Sequence, residues 1–119
     1  VDEDTKSYIL TRNQMFLRGF DYCICKDVLE HISTAYLKQL LSNLNVHTLF
    51  TIVPLGNNGK YVASSNDRDC SHIICESTDW WFDLFQSCGW KNRYLASTKF
   101  KGIKDSYPEG SFLFMVHER

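Results

Sequence analysis

The sequence predicts an α/β domain whose sheet has parallel members and an antiparallel edge strand. Two observations predict it. Apolar strand-like runs alternate with amphipathic helical stretches, and two strand candidates then follow in succession at the end of the chain. The run "FDYCICK", residues 20–26, is also apolar on both faces apart from Asp21. That pattern suits a parallel strand covered by helices on each side.

Each element has a local reason. "SYILTRN", Ser7 to Asn13, predicts a short strand, and "QMFLRG" leads from it into "FDYCICK". A helix follows from Ser33, which can cap it; Tyr36, Leu37, Leu40, Leu41 and Leu44 recur at three- and four-residue steps and form one apolar stripe. "HTLFTIVPL", His47 to Leu55, reads as a second buried strand closed by Pro54, which cannot donate to a ladder. Gly56 to Asp69 is then a long polar loop. "STDWWFDLFQSCGW" is a punctuated helix. Ser77 or Thr78 caps it, Asp79 sits at the positive end of the dipole, and Gly89 offers the left-handed position after the last turn. Trp81, Leu84, Phe85 and Cys88 share its inner face, and Trp90 can fold back on its end. "WKNRYLAST" and "SFLFMVHE" complete the strands.

At 119 residues the chain is expected to be a single domain over 1–119, and 44% hydrophobic residues are ample for a core. Thirteen basic and 14 acidic residues leave a net charge of −1, so no electrostatic footprint for nucleic acid is expected. No apolar run approaches the ~20 residues that span a bilayer. The acidic start "VDEDTKS" is the opposite of a secretory signal. The five cysteines are odd in number and lack CxxC spacing, which predicts core thiols in a reducing, cytoplasmic setting.

Three stretches carry a family resemblance. "FDYCICKDVLEHI", "LFTIVPL" and "RDCSHIICESTDWWFDLFQSCGW" occur in the order found in the C-terminal half of class I S-adenosylmethionine-dependent methyltransferases. The chain resembles strands four to seven of that family over residues 20 to 118. The resemblance implies a partial Rossmann-like sheet, mostly parallel with an antiparallel edge strand and truncated at its N-terminal side. It implies S-adenosylmethionine as cofactor and a small-molecule acceptor. None of the six glycines forms the GxG turn that lets a backbone approach the cofactor, and Gly56 and Gly59 follow the wrong strand for that role. If "VDED" is the tail of the second strand, Asp2 or Asp4 is the ribose acid.

Lys26 and Asp27 follow a central strand, where open α/β sheets bind ligands. With His31 they are expected to border the cofactor. Asp27 and Glu30 also have the spacing of a near-capping box, and Glu30 can form an ion pair along its helix. His72 is the candidate general base, because imidazole titrates near neutrality, with Asp69 to orient it. Small-RNA 2′-O-methyltransferases hold a divalent metal with an acid-x-x-Glu-His cluster and a distant histidine. Asp27, Glu30, His31 and His72 fit that outline, with Asp where those enzymes use Glu. Leu-Glu-His also occurs widely in methyltransferases not known to bind metal. No metal is therefore assigned, and Glu30, His31 and His72 are the donors if one is held. Trp81 is read as core, and His47 and His117 as ordinary strand-end residues. A second reading is a catalytically inactive methyltransferase-like module. Missing strands would leave a long sheet edge, a template for homodimer formation.

Overall fold

The computed structural model of the chain describes residues 19–63, 65, 71–96 and 107–119. The strand expected over residues 7–13, the acids Asp2 and Asp4, and Asp69 lie outside these. The elements are β1 (Phe20–Lys26), a 3-10 turn (Leu29–His31), α1 (Thr34–Asn43), β2 (Val46–Pro54), β3 (Gly56–Asn57), β4 (Lys60–Tyr61), α2 (Thr78–Ser87), β5 (Lys91–Ala96) and β6 (Phe112–Glu118). Among the described residues no helix is long and apolar enough to cross a membrane.

The main sheet runs in the order β1-β2-β6-β5. β1 pairs in parallel with β2 from Phe20↔Val46 to Lys26↔Ile52. β6 is antiparallel to both of its neighbours. The expectation of a mostly parallel sheet with an antiparallel edge therefore needs correction. Three of the four strands point the same way, yet the one reversed strand lies inside the sheet, so most neighbouring pairs are antiparallel. The composition of β6 explains its place. Phe112, Leu113 and Met115 are buried, and an edge would leave so apolar a run open to another chain.

The two described α-helices pack on one face. Leu49 and Val53 of β2 and Leu113 and Met115 of β6 join Leu37, Leu41, Trp81 and Phe85 in a single core. Each fully buried leucine contributes about 1.5–3 kcal/mol relative to exposure. The other face of the sheet, with Phe50, Ile52, Phe114 and Val116, is only half-buried. On β1 it is open: Tyr22 is 68% and Ile24 76% exposed. The expected helical cover on both sides of β1 is thus not found among the described residues, because α1 and α2 share the opposite face.

Helix ends follow local chemistry. The Ser77 hydroxyl accepts from the Trp80 amide at 3.3 Å, and Gly89 takes φ +89° past the end of α2. Ser33 precedes α1 but makes no side-chain cap, contrary to expectation. The carbonyls at the end of α1 are met from elsewhere. Arg119 donates to Leu44 at 3.0 Å and Ser42 at 3.1 Å, and its guanidinium lies 4.3 Å from the centre of the Trp90 ring. Trp90 does fold back, its indole N–H donating to the Leu41 carbonyl at 2.9 Å.

Two sequence readings change. The long polar loop begins instead as a two-residue hairpin, with Gly56↔Tyr61 and Asn57↔Lys60 paired. Asn58 and Gly59 both have positive φ, at 52° and 81°, as a two-residue turn of this hand requires. His117 is no ordinary strand-end residue. It is fully buried, stacks on Phe85 at 3.8 Å between ring centres, and hydrogen-bonds Thr51 at 3.2 Å. Burial holds its pKa down to about 4, so it sits in the core as a neutral ring.

Candidate functional site

The site grows from the carboxyl end of β1. Asp27 turns the chain there with φ +56°, a region that few residues other than glycine enter, while its amide still bonds the Ile52 carbonyl at 3.0 Å. This turn feeds Leu29–His31 into one tight turn whose Leu29 and Glu30 are buried. The turn starts after Val28 with no side-chain cap, so the capping-box reading of Asp27 and Glu30 is not realised.

The segment carrying His72 is pinned onto that turn by its backbone. The amides of Ile73 and Ile74 both donate to the Glu30 carbonyl, at 2.8 and 3.0 Å. The Tyr61 hydroxyl donates to the Ile74 carbonyl, and the Gly56 amide to Glu76 at 2.9 Å. Gly56 permits this close approach. A Cβ there would lie 2.5 Å from the Cys75 sulfur and 2.8 Å from its carbonyl carbon.

Three side chains converge as a result. The Nε2 atoms of His31 and His72 lie 3.5 and 4.0 Å from the Glu30 Oε1. One donor atom from each residue falls within 4.8 Å of the others. Glu30 is fully buried, and neither of its carboxylate oxygens has a hydrogen-bond partner. Burial pushes its pKa above the usual carboxylate value, the nearby amide of its own backbone and the two imidazoles oppose the shift, and the charge of Asp27 adds to it. His31 is oriented by Ser71, whose carbonyl and hydroxyl lie 3.1 and 3.0 Å from its Nδ1. The His31 and His72 rings are 4.7 Å apart, and Tyr61 stands edge-on to His72 at 5.2 Å.

The structure therefore brings together Glu30, His31 and His72. Lys26 is exposed and Asp27 half-buried at the same end of β1. The expected ion pair of Glu30 along its own helix is replaced by the two histidines. Asp69 lies outside the described residues, so its expected partnership with His72 has no geometry here. Sequence reasoning missed Ser71 and Tyr61. An aromatic residue in an otherwise polar loop, and a serine adjoining the candidate base, were the available signals. A carboxylate without hydrogen bonds, facing two imidazoles, can share a proton with them or hold a divalent cation.

Solved structures share this fold. The small RNA methyltransferase HEN1 superposes with a TM-score of 0.62 at 12% identity, over 88% of this chain and 14% of that one. The mitomycin 7-O-methyltransferase MmcR gives 0.61 at 15%, over 88% and 32%. LepI in complex with S-adenosylmethionine gives 0.61 at 12%, over 85% and 26%. The chain spans about a third or less of the length of these neighbours. At such identity the likeness shows a methyltransferase-like fold alone, since one fold hosts many functions. No family model and no curated protein matches the chain.

Proposed function

We propose that the chain is the acceptor-side part of an S-adenosylmethionine-dependent methyltransferase acting on a small molecule. The observation that carries this is the Glu30–His31–His72 cluster, placed at the carboxyl end of a parallel strand in a methyltransferase-like fold. Open α/β sheets bind ligands at that end. Lys26, Asp27 and His31 border the cofactor in this reading. His72 takes the proton from an acceptor hydroxyl as it attacks the sulfonium methyl, and Asp69 orients it. Holding the two reactants in line supplies most of the acceleration.

The same residues fit a divalent ion. Both buried oxygens of Glu30 lack hydrogen bonds and two imidazoles flank them, a donor set suited to zinc, manganese or iron. Such an ion would polarise the acceptor hydroxyl and ease loss of its proton.

Calorimetry of the 119-residue chain with S-adenosylmethionine tests the proposal. The expected result is saturable heat in wild type and in His72→Ala, with methyl transfer lost only in the variant. Absence of heat with wild type removes the cofactor assignment. It would favour the second reading, a non-catalytic module that self-associates, which the exposed Tyr22 and Ile24 of β1 support.

A further inference from the structure

β1 carries a second cluster of chemical groups, separate from the histidines. Cys23 and Cys25 alternate with exposed residues along the strand, so their side chains share a face. Both thiols are unoxidised and half-buried, and their sulfurs lie 3.9 Å apart. The backbone holds them there through the parallel ladder, with Cys23 opposite Leu49 and Cys25 opposite Thr51.

We propose that Cys23 and Cys25 form a two-thiolate site for one thiophilic divalent cation of the zinc or cadmium type. The spacing carries the argument. Two sulfurs each about 2.3 Å from a tetrahedral zinc stand about 3.8 Å apart. The observed separation matches that bite without movement of the strand. It does not suit a disulfide, whose sulfurs must approach to about 2.05 Å. Residues two apart on a strand also have Cα atoms about 6.6 Å apart, at the upper limit a disulfide spans, so oxidation would require β1 to buckle. Thiolates select soft and borderline cations over magnesium or calcium. Both side chains pack against the core face of the sheet yet stay only half-buried, which leaves an approach for the ion. On binding, two S–H bonds give way to two S–metal bonds, the protons pass to solvent, and water completes the coordination shell.

The test is a titration of the full chain with cadmium(II), followed through the ultraviolet thiolate-to-cadmium charge-transfer band. This band does not report an ion held by Glu30, His31 and His72, so the outcome is independent of the proposed methyltransferase site. One equivalent should saturate the band. Cys23→Ser and Cys25→Ser should each weaken binding by about tenfold or more, while Cys75→Ser leaves it unchanged. Equal titrations in wild type and both serine variants would overturn the site. If a serine variant fails to fold, wild type decides by mass-mapped alkylation. Cadmium should slow modification of Cys23 and Cys25 but not of Cys75, and unchanged rates at all three would refute the proposal.

Discussion

At the residue scale, Glu30 is a group under stress. It is buried, its carboxylate oxygens lack hydrogen-bond partners, and it titrates above its ordinary value because desolvation outweighs the pull of its own backbone amide and the two imidazoles. A carboxyl whose pKa rises on folding costs the fold nothing below its ordinary value of 4.5, and destabilises it progressively as the pH rises through the shifted value. Glu30→Gln removes that charge. In metal-free buffer the variant should melt above wild type at pH 7, and the advantage should vanish below about pH 4.5. Added manganese should raise the melting temperature of wild type and leave the variant unmoved. A variant that melts lower at neutral pH would show that the carboxylate has a partner in solution.

At the element scale, the site depends on how closely the 71–77 segment lies against β3. At Gly56 there is no room between them for a Cβ. Gly56→Ala forces a Cβ against the sulfur and backbone of Cys75, and backbone cannot yield as a long side chain can. Overpacking of this kind costs about 1–3 kcal/mol. The segment that must move carries His72, so the proposed catalytic geometry moves with it. The expected result is a lower melting temperature together with a shifted His72 imidazole signal in NMR, while the signal of the core residue His117 stays in place. If both imidazole signals keep their positions, Gly56 does not position His72.

At the scale of the whole molecule, the described residues cover the sheet unevenly. Its inner face closes on α1 and α2, whereas Tyr22 and Ile24 extend an apolar surface along the outer face of β1. Strand edges and uncovered apolar faces invite association. Sedimentation of the 119-residue chain should therefore show mass increasing with concentration, and Ile24→Lys should suppress the increase. Ile24 is 76% exposed, so the lysine should change folding stability by no more than about 0.5 kcal/mol. A large loss of stability in the variant would mean that this face is packed within a single chain.

The sequence by itself determined those elements whose signals are local. The Ser77 cap and the Gly89 stop bound α2, and the apolar runs of β2 and β6 read as strands, because capping and periodicity act within a few residues. The Asn58-Gly59 turn carried a local signal as well, but residues 56–69 read as a polar loop because polarity around the turn concealed it. The order of the strands was not legible, since β6 wins its place beside β2 in competition with every other strand. The burial of Glu30 was hidden too, because an acid three residues after Asp27 has the same spacing whether it caps a helix or enters a core. Tertiary structure decided between them: two amides from residues 73 and 74 bond the Glu30 carbonyl and bring His72 beside its carboxylate. Contacts across some forty residues leave no periodic trace in the chain, because their free energy comes from surfaces that exist only once the fold has closed.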